Sequence, residues 1–341
     1  MRSNRRLVEC GRIEAKPLGR TFHKFILIWL LSIPNVVIIS TLTKPLEGIA
    51  TSKMLPSPCD APNGLATARL WRWLAAVAIV GNVGLNYYGK AHPFAGQTLG
   101  MVLAKYPTLL MPADYAFSIG GFILLALLVY AVWQLLPAQQ KLPLPDALAK
   151  PLTLASIATG VWTVLLVYEL ILPSVGVMLL ILGSLVVTYS RVRRRIFIGT
   201  APVLAGVPFS LYLGWVSVVA VINITIGLRQ LGWQATEAAS VALTMGLIFG
   251  VVVLGLLMSC VFRDLVFPLV VAWTLVAVWV VRLREVSELG WAALIGAAVV
   301  ALAGIGFSRI GGRKTPLQVR DAAAAVVEAE IAARKATCFG Q

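Results

Sequence analysis

The side chains best equipped for chemistry lie in one apolar stretch, residues 207–229, which carries Ser210, Tyr212, Trp215, Ser217, Asn223 and Thr225. Tyr212, then Trp215 or Ser217, then Asn223 follow one another at steps close to multiples of 3.6 residues. On a helix most of their polar atoms therefore fall on one side. Hydroxyls, an indole and a carboxamide in that pattern suit hydrogen bonding and ring stacking rather than bond cleavage. Hydrocarbon cannot satisfy such groups, so this side must face other helices or a wet cavity. Two readings follow: glue between helices, or one wall of a ligand pocket.

Other reactive groups are scattered. Asp114 and Glu169 sit near the ends of apolar runs. A carboxylate so placed relays protons, pairs with a cation, or simply meets water at the interface. Arg229 closes its run and reads as a snorkelling or headgroup-contacting residue. Arg263-Asp264 reads as a local pair in a tight turn or, in preference, as a solvated turn. Cys10, Cys59, Cys260 and Cys338 lack ligand-like spacing, and His23 and His92 lie far apart, so neither a metal site nor a disulfide framework is indicated. The sequence has no Gly-Lys-Ser/Thr phosphate loop, no His/Glu cluster and no nucleophile with a His base. It reads as a non-enzyme without metal ligands.

The elements that position these groups are membrane helices. Of 341 residues 59% are hydrophobic and 13% charged, and the mean hydropathy is +0.87. The expected fold class is all-α, a polytopic membrane helical bundle. A β-barrel would alternate in short segments, whereas these runs are continuous. The net charge of +15 does not point to nucleic acid, because the cations cluster at the ends of apolar runs. There they mark loops and the anionic face of a membrane.

Apolar runs are placed at about 25–42, 71–88, 115–136, 152–172, 174–190, 204–228, 238–260, 264–282 and 289–307. Pro173 leaves almost no loop between two of them, which predicts a tight helical hairpin, and Arg263-Asp264 does the same further on. Residues 90–113 form a longer connection with room for one short helix around 97–105, either a lid or a plain surface loop. Loops holding Lys141, Lys150, Arg191, Arg193, Arg194, Arg195 and Arg309 alternate with loops holding only Lys90, Lys105, Arg229, Arg282 and Arg284. The positive-inside rule then puts residues 191–195 and the C-terminus inside. The run at 25–42 would leave the basic N-terminus outside, so it is read as a removed targeting segment or not a true span. The expected organisation is 1–68 a targeting or first-helix segment, 69–230 a transmembrane core, 231–310 additional transmembrane helices, and 311–341 a soluble tail helix beginning near Thr315-Pro316.

Two blocks carry a family resemblance. Pro112-Ala-Asp-Tyr-Ala-Phe-Ser-Ile-Gly-Gly is similar to the Pro-Ala-Gly-Tyr-Ala-Phe-Ser-Ile-Trp-Gly of the TspO/MBR family, the tryptophan-rich sensory proteins that include the mitochondrial translocator protein, and Val132-Trp-Gln-Leu-Leu-Pro is similar to the end of the same helix. Pro208-Phe-Ser-Leu-Tyr-Leu-Gly-Trp-Val-Ser, with Asn223 eight residues beyond Trp215, resembles that family's last helix. The resemblance covers roughly residues 71–230. It implies a five-helix TspO-like core, here followed by about three extra C-terminal transmembrane helices. It further implies a pocket closed by the loop 90–113 and filled by a tetrapyrrole, a sterol or a similar flat apolar molecule. Ala116 and Phe117, with Trp215, Val219 and Asn223, occupy the matching positions, for apolar contact or stacking and for an amide hydrogen bond from Asn223. The chain departs from the pattern at Gly120, where relatives carry Trp, at Leu124, where they carry an aromatic, and at Ala158-Thr-Gly-Val-Trp162, where they are Asn-rich.

The expected function is therefore binding or translocation of such a ligand, with no fixed cofactor beyond a porphyrin or other tetrapyrrole as ligand. The alternative is a structural or assembly subunit of a larger membrane complex, which the small residues of 290–306 suit. Lipids and a hydrophobic small molecule are the expected partners, with a homodimer or larger complex left open. A plastid or mitochondrial membrane is favoured over a bacterial inner membrane.

Overall fold

A computed structural model describes residues 61–139, 142–233 and 236–310. The expectations for residues 1–60 and 311–341 lie outside the described residues. Among the described residues there are nine α-helices: α1 (Ala61–Ala91), α2 (Leu99–Lys105), α3 (Ile119–Leu135), α4 (Pro143–Val167), α5 (Ile171–Ile198), α6 (Val207–Gln230), α7 (Glu237–Phe262), α8 (Val266–Arg282) and α9 (Ser287–Ile310). A 3-10 turn, Asp114–Ser118, leads into α3. This is the all-α polytopic bundle the composition predicts.

Local signals set the ends. Proline stands in the first turn of α4 and of α6, where its missing N–H costs nothing. Thr236 caps α7 by accepting from the Ala239 N–H. Gly199 closes α5 in the left-handed region at φ 82°, which glycine adopts without strain. The hairpin expected at Pro173 is made by Tyr168, Glu169 and Leu170, with Glu169 at φ 58°. The second, at Arg263-Asp264, joins α7 to α8, with Arg263 at φ 49°.

Helices α1, α4, α5, α6 and α3 pack in a closed ring, each against the next, and α3 returns to α1. Helices α7, α8 and α9 pack on one another, and α8 lies against α6. Helix α6 is thus the wall shared by the ring and the C-terminal trio, and 61% of its spanning window is buried, more than for any other. Gly214 permits the contact, since a Cβ there would stand 3.1 Å from the Cβ of Val270. Within the trio Gly296 and Gly304 meet Val252 and Pro268 at 2.7 Å from their built Cβ positions, so these two glycines serve contacts inside the chain.

Outward faces are as apolar as the interior: Phe122, Leu125, Val129 and Val132 on α3 and Trp291, Ile295 and Leu302 on α9 are exposed. Among the described residues six elements are long and apolar enough to cross a membrane. Helix α8 is apolar but has 17 residues. Helix α1 has 31 but is interrupted by Arg69, Arg72, Asn82, Asn86 and Lys90.

One end of the ring is rich in cations, of which Arg72, Arg191 and Arg193 are each held by a carboxylate or a backbone carbonyl of the chain. Arg72 Nε pairs with Asp146 at 2.5 Å, and its other nitrogens donate to the carbonyls of Gln139 and Leu142 at 2.9 Å. Pro151 inside α4 cannot donate to the carbonyl of Ala147, and Arg191 Nη1 does so at 2.6 Å. Asp264 is only 2% exposed, which corrects the reading of its turn as solvated. It pairs with Arg193, accepts from the Tyr189 hydroxyl at 2.8 Å, and accepts the Val266 N–H at 2.9 Å to cap α8. The burial has a physical cause: the turn abuts α5, whose Arg193 needs an anion.

Candidate functional site

A cavity of about 570 Å³ lies within the five-helix ring, in the range of small-molecule sites. Each helix presents one 3.6-period face to it. Helix α6 contributes Tyr212, Trp215, Val216 and Val219, at offsets 0, 3, 4 and 7. Phe117, Gly120, Gly121 and Leu124 repeat the pattern at the start of α3, as do Gly100, Leu103, Ala104 and Pro107 at α2. Helix α1 adds Asn82, Asn86 and Lys90, one per turn, and α4 adds Thr159, Trp162 and Thr163.

The wall combines rings with paired polar groups. Phe117 and Trp215 meet edge to face, centroids 5.5 Å apart and planes at 88°. The Thr159 hydroxyl donates to the Ala155 carbonyl at 2.8 Å, so its 2.5 Å contact with Tyr212 has the phenol as donor. Asn86 Nδ2 donates to the side-chain and backbone oxygens of Asn82 at 3.1 and 2.9 Å. Gly120 and Gly121 have nothing within 4 Å of a built Cβ. The position that carries Trp in the similar proteins therefore opens onto empty space here.

Of the residues singled out in the sequence, Phe117, Trp215 and Val219 line the cavity, while Ala116 and Asn223 are not among its lining residues. Asn223 is buried, and its amide donates to Ser174 Oγ at 3.1 Å, tying α6 to α5. Ala116 is fully buried, and its carbonyl accepts from Trp273 Nε1 at 3.5 Å. The sequence reading missed Asn82, the cavity role of Asn86, and Arg282. The repeat of polar residues at 82, 86 and 90 along one face of an apolar run was the available signal.

The connection 92–113 covers one end of the cavity and does contain the short helix, α2. Its Phe94 lines the cavity and packs over Gly89, where a Cβ would meet the ring at 3.0 Å. Its far half is pinned from three helices' ends. Lys105 bridges to Glu169 at 2.6 Å and donates to Gln97, and the Tyr106 hydroxyl donates to Glu169 at 2.9 Å. Arg229 donates to the Pro107 carbonyl. Arg282 of α8 donates to the carbonyls of Leu109 and Thr108 at 3.0 and 3.1 Å. Glu169 and Arg229 thus both contact the connection 92–113. The Lys105 and Tyr106 hydrogen bonds hold the Glu169 carboxyl below its ordinary value, and the bond to Glu169 raises the Tyr106 phenol.

Residues 72–306 match the family described as TSPO-like protein. That extent runs past the ring through nearly all of α9, so the C-terminal trio lies inside the family's matched region. No curated protein and no solved structure matches the chain.

Proposed function

The chain belongs to the TSPO-like protein family and is an integral membrane protein, and from that premise we propose that it binds, and in doing so can translocate, a flat hydrophobic ligand such as a tetrapyrrole or sterol. The observation that carries this reading is the Phe117–Trp215 edge-to-face pair in the wall of a cavity of about 570 Å³. Burying ring surface against such side chains is worth ~2 kcal/mol for each large one. Val219 adds apolar surface one turn along α6. Ala116 supports the turn that carries Phe117. Asn223 fixes α6 against α5, and hydrogen bonds to the ligand fall instead to Asn82, Asn86 and Tyr212. Gly120 leaves room that a bulkier ligand edge fills.

In this reading the ligand is cargo rather than a resident cofactor, and no bond is made or broken. The basic residues 1–24 favour an organelle membrane, and the apolar outer faces leave room for a homodimer or a larger assembly in addition to lipid. Titration of the purified protein with protoporphyrin, followed by quenching of tryptophan fluorescence, tests the proposal. Saturable binding that weakens in Trp215→Ala supports it. Absence of saturable binding, or equal binding by the variant, overturns it and favours the structural-subunit alternative.

A further inference from the structure

Carboxylates are shared unevenly between the two ends of the bundle. Among the described residues Asp114, Glu169, Glu237, Glu285 and Glu288 stand at the lid end, and only Asp146 and Asp264 at the cation-rich end. Both of the latter are already paired, Asp146 with Arg72 and Asp264 with Arg193. The exposed side chains of Lys150, Arg191 and Arg194 at that end pair with no carboxylate among the described residues. Residues 1–60 and 311–341 each carry more cations than carboxylates, so neither segment has the composition to balance this charge.

The three cations form one band. The bond from Arg191 Nη1 to the Ala147 carbonyl fixes the register of the antiparallel helices α4 and α5. Lys150 then lies three residues deeper along α4, and Arg194 three residues further out along α5. At ~1.5 Å per residue the band is about 9 Å deep along the bundle axis. Lys150 Nζ rests 5.5 Å from the centroid of the Trp71 ring, a contact that attracts the ammonium without cancelling its charge.

An exposed apolar stripe descends from the band on each helix. On α4 it is Leu154, Ile157 and Val161, at offsets of 4, 7 and 11 from Lys150. On α5 it is Val187 and Leu180, 4 and 11 residues before Arg191. Gly183 lies between these two with nothing within 4 Å of a built Cβ, which dents the α5 surface. Unanswered positive charge above and apolar surface below match one kind of molecule, a lipid with an anionic headgroup.

We propose that this outer face of α4 and α5 is a binding site for an anionic phospholipid of the leaflet on the cation-rich side. Its phosphate sits among Lys150, Arg191 and Arg194, whose N–H groups donate to phosphate oxygens. An acyl chain lies along Leu154, Ile157 and Val161 and past Gly183. Asp146 does not repel the headgroup, because Arg72 answers its charge. A zwitterionic lipid brings its own cation into the band and forfeits the advantage. The site is on the outside of the ring, so it is independent of whatever fills the cavity.

The test uses the full chain in a neutral detergent, incubated with equal amounts of phosphatidylglycerol and phosphatidylcholine of matched acyl chains. Native mass spectrometry then weighs the lipid adducts. Phosphatidylglycerol adducts are expected to exceed phosphatidylcholine adducts roughly tenfold or more. Lys150→Gln with Arg194→Gln should bring the two within about twofold, whereas Lys150→Arg with Arg194→Lys keeps both charges and should keep the preference. Arg263→Gln with Arg309→Gln removes two exposed cations of the same end from other helices and should leave the preference unchanged. An equal fall in that control overturns the site, since the preference then belongs to the basic face as a whole. Equal retention of the two lipids by the unaltered chain also overturns it. Displacement of the lipid by excess glycerol phosphate would assign the cations to a free phosphate, and a lipid-free dimer would assign the face to a second copy; either result overturns the proposal.

Discussion

Arg191 Nη1 donates at 2.6 Å to the carbonyl of Ala147, the one acceptor in α4 that Pro151 cannot reach from four residues on. The arginine therefore supplies a hydrogen bond that the helix lacks. Arg191→Ala is expected to lower stability by ~1 kcal/mol, measured by reversible SDS titration. In a Pro151→Ala background the helix completes its own ladder, and the same substitution should then cost almost nothing. Equal costs in both backgrounds would falsify the pairing.

The Arg193–Asp264 pair joins α5 to the turn between α7 and α8, and both side chains are buried. Removing one charge strands the other, so Asp264→Ala should cost ~3–5 kcal/mol. The double replacement Arg193→Met with Asp264→Leu should recover much of that. A double variant no more stable than Asp264→Ala rules out stranded charge as the cause.

The lid latch predicts a pH dependence. Glu169 is held below its ordinary value of 4.5 by Lys105 and Tyr106, so its contribution is present above that ordinary value and fades as pH falls through the lowered one. Hydrogen exchange of α2 amides, corrected for its intrinsic pH dependence, should show protection constant near neutrality and lost in acid. Glu169→Gln should show weak protection at pH 7 and no acid step. An acid step that survives in that variant assigns the effect to another group.

Cavity substitutions separate contact from support. Trp215→Ala should weaken protoporphyrin binding roughly 10- to 30-fold, the equivalent of ~2 kcal/mol. Asn223→Ala should leave affinity within about twofold but lower stability by ~1 kcal/mol, since its partner is Ser174. Gly120→Trp should lower affinity by occupying the space a ligand needs. If Asn223→Ala abolishes binding while stability holds, its amide acts on the ligand directly.

Much of this architecture could be read from the chain because its signals are local. Continuous apolar runs fixed the spans, Pro173 fixed the hairpin, and the 97–105 segment announced α2. The stripe on α6 identified its buried face but not its neighbours: periodicity places Trp215 and Asn223 on one side, and only tertiary packing decides that one meets the cavity and the other meets Ser174. Asp264 was misjudged for the same reason, since its burial comes from Arg193, 71 positions away in the chain. Arg282 was legible only as an end-of-helix cation, because its acceptors at Thr108 and Leu109 lie over 170 residues earlier.

Arg282 also has a thermodynamic consequence. It is the only lining residue of the cavity contributed by the C-terminal trio, and it holds two carbonyls of the lid. Any displacement of α8 is therefore felt as a change in the free energy of lid opening. By linkage, a ligand that favours the closed lid must favour the trio's present position to the same extent. Under the proposed binding function the trio is then a handle on the cavity: whatever grips α7, α8 or α9 tunes occupancy, and occupancy in turn tunes that grip.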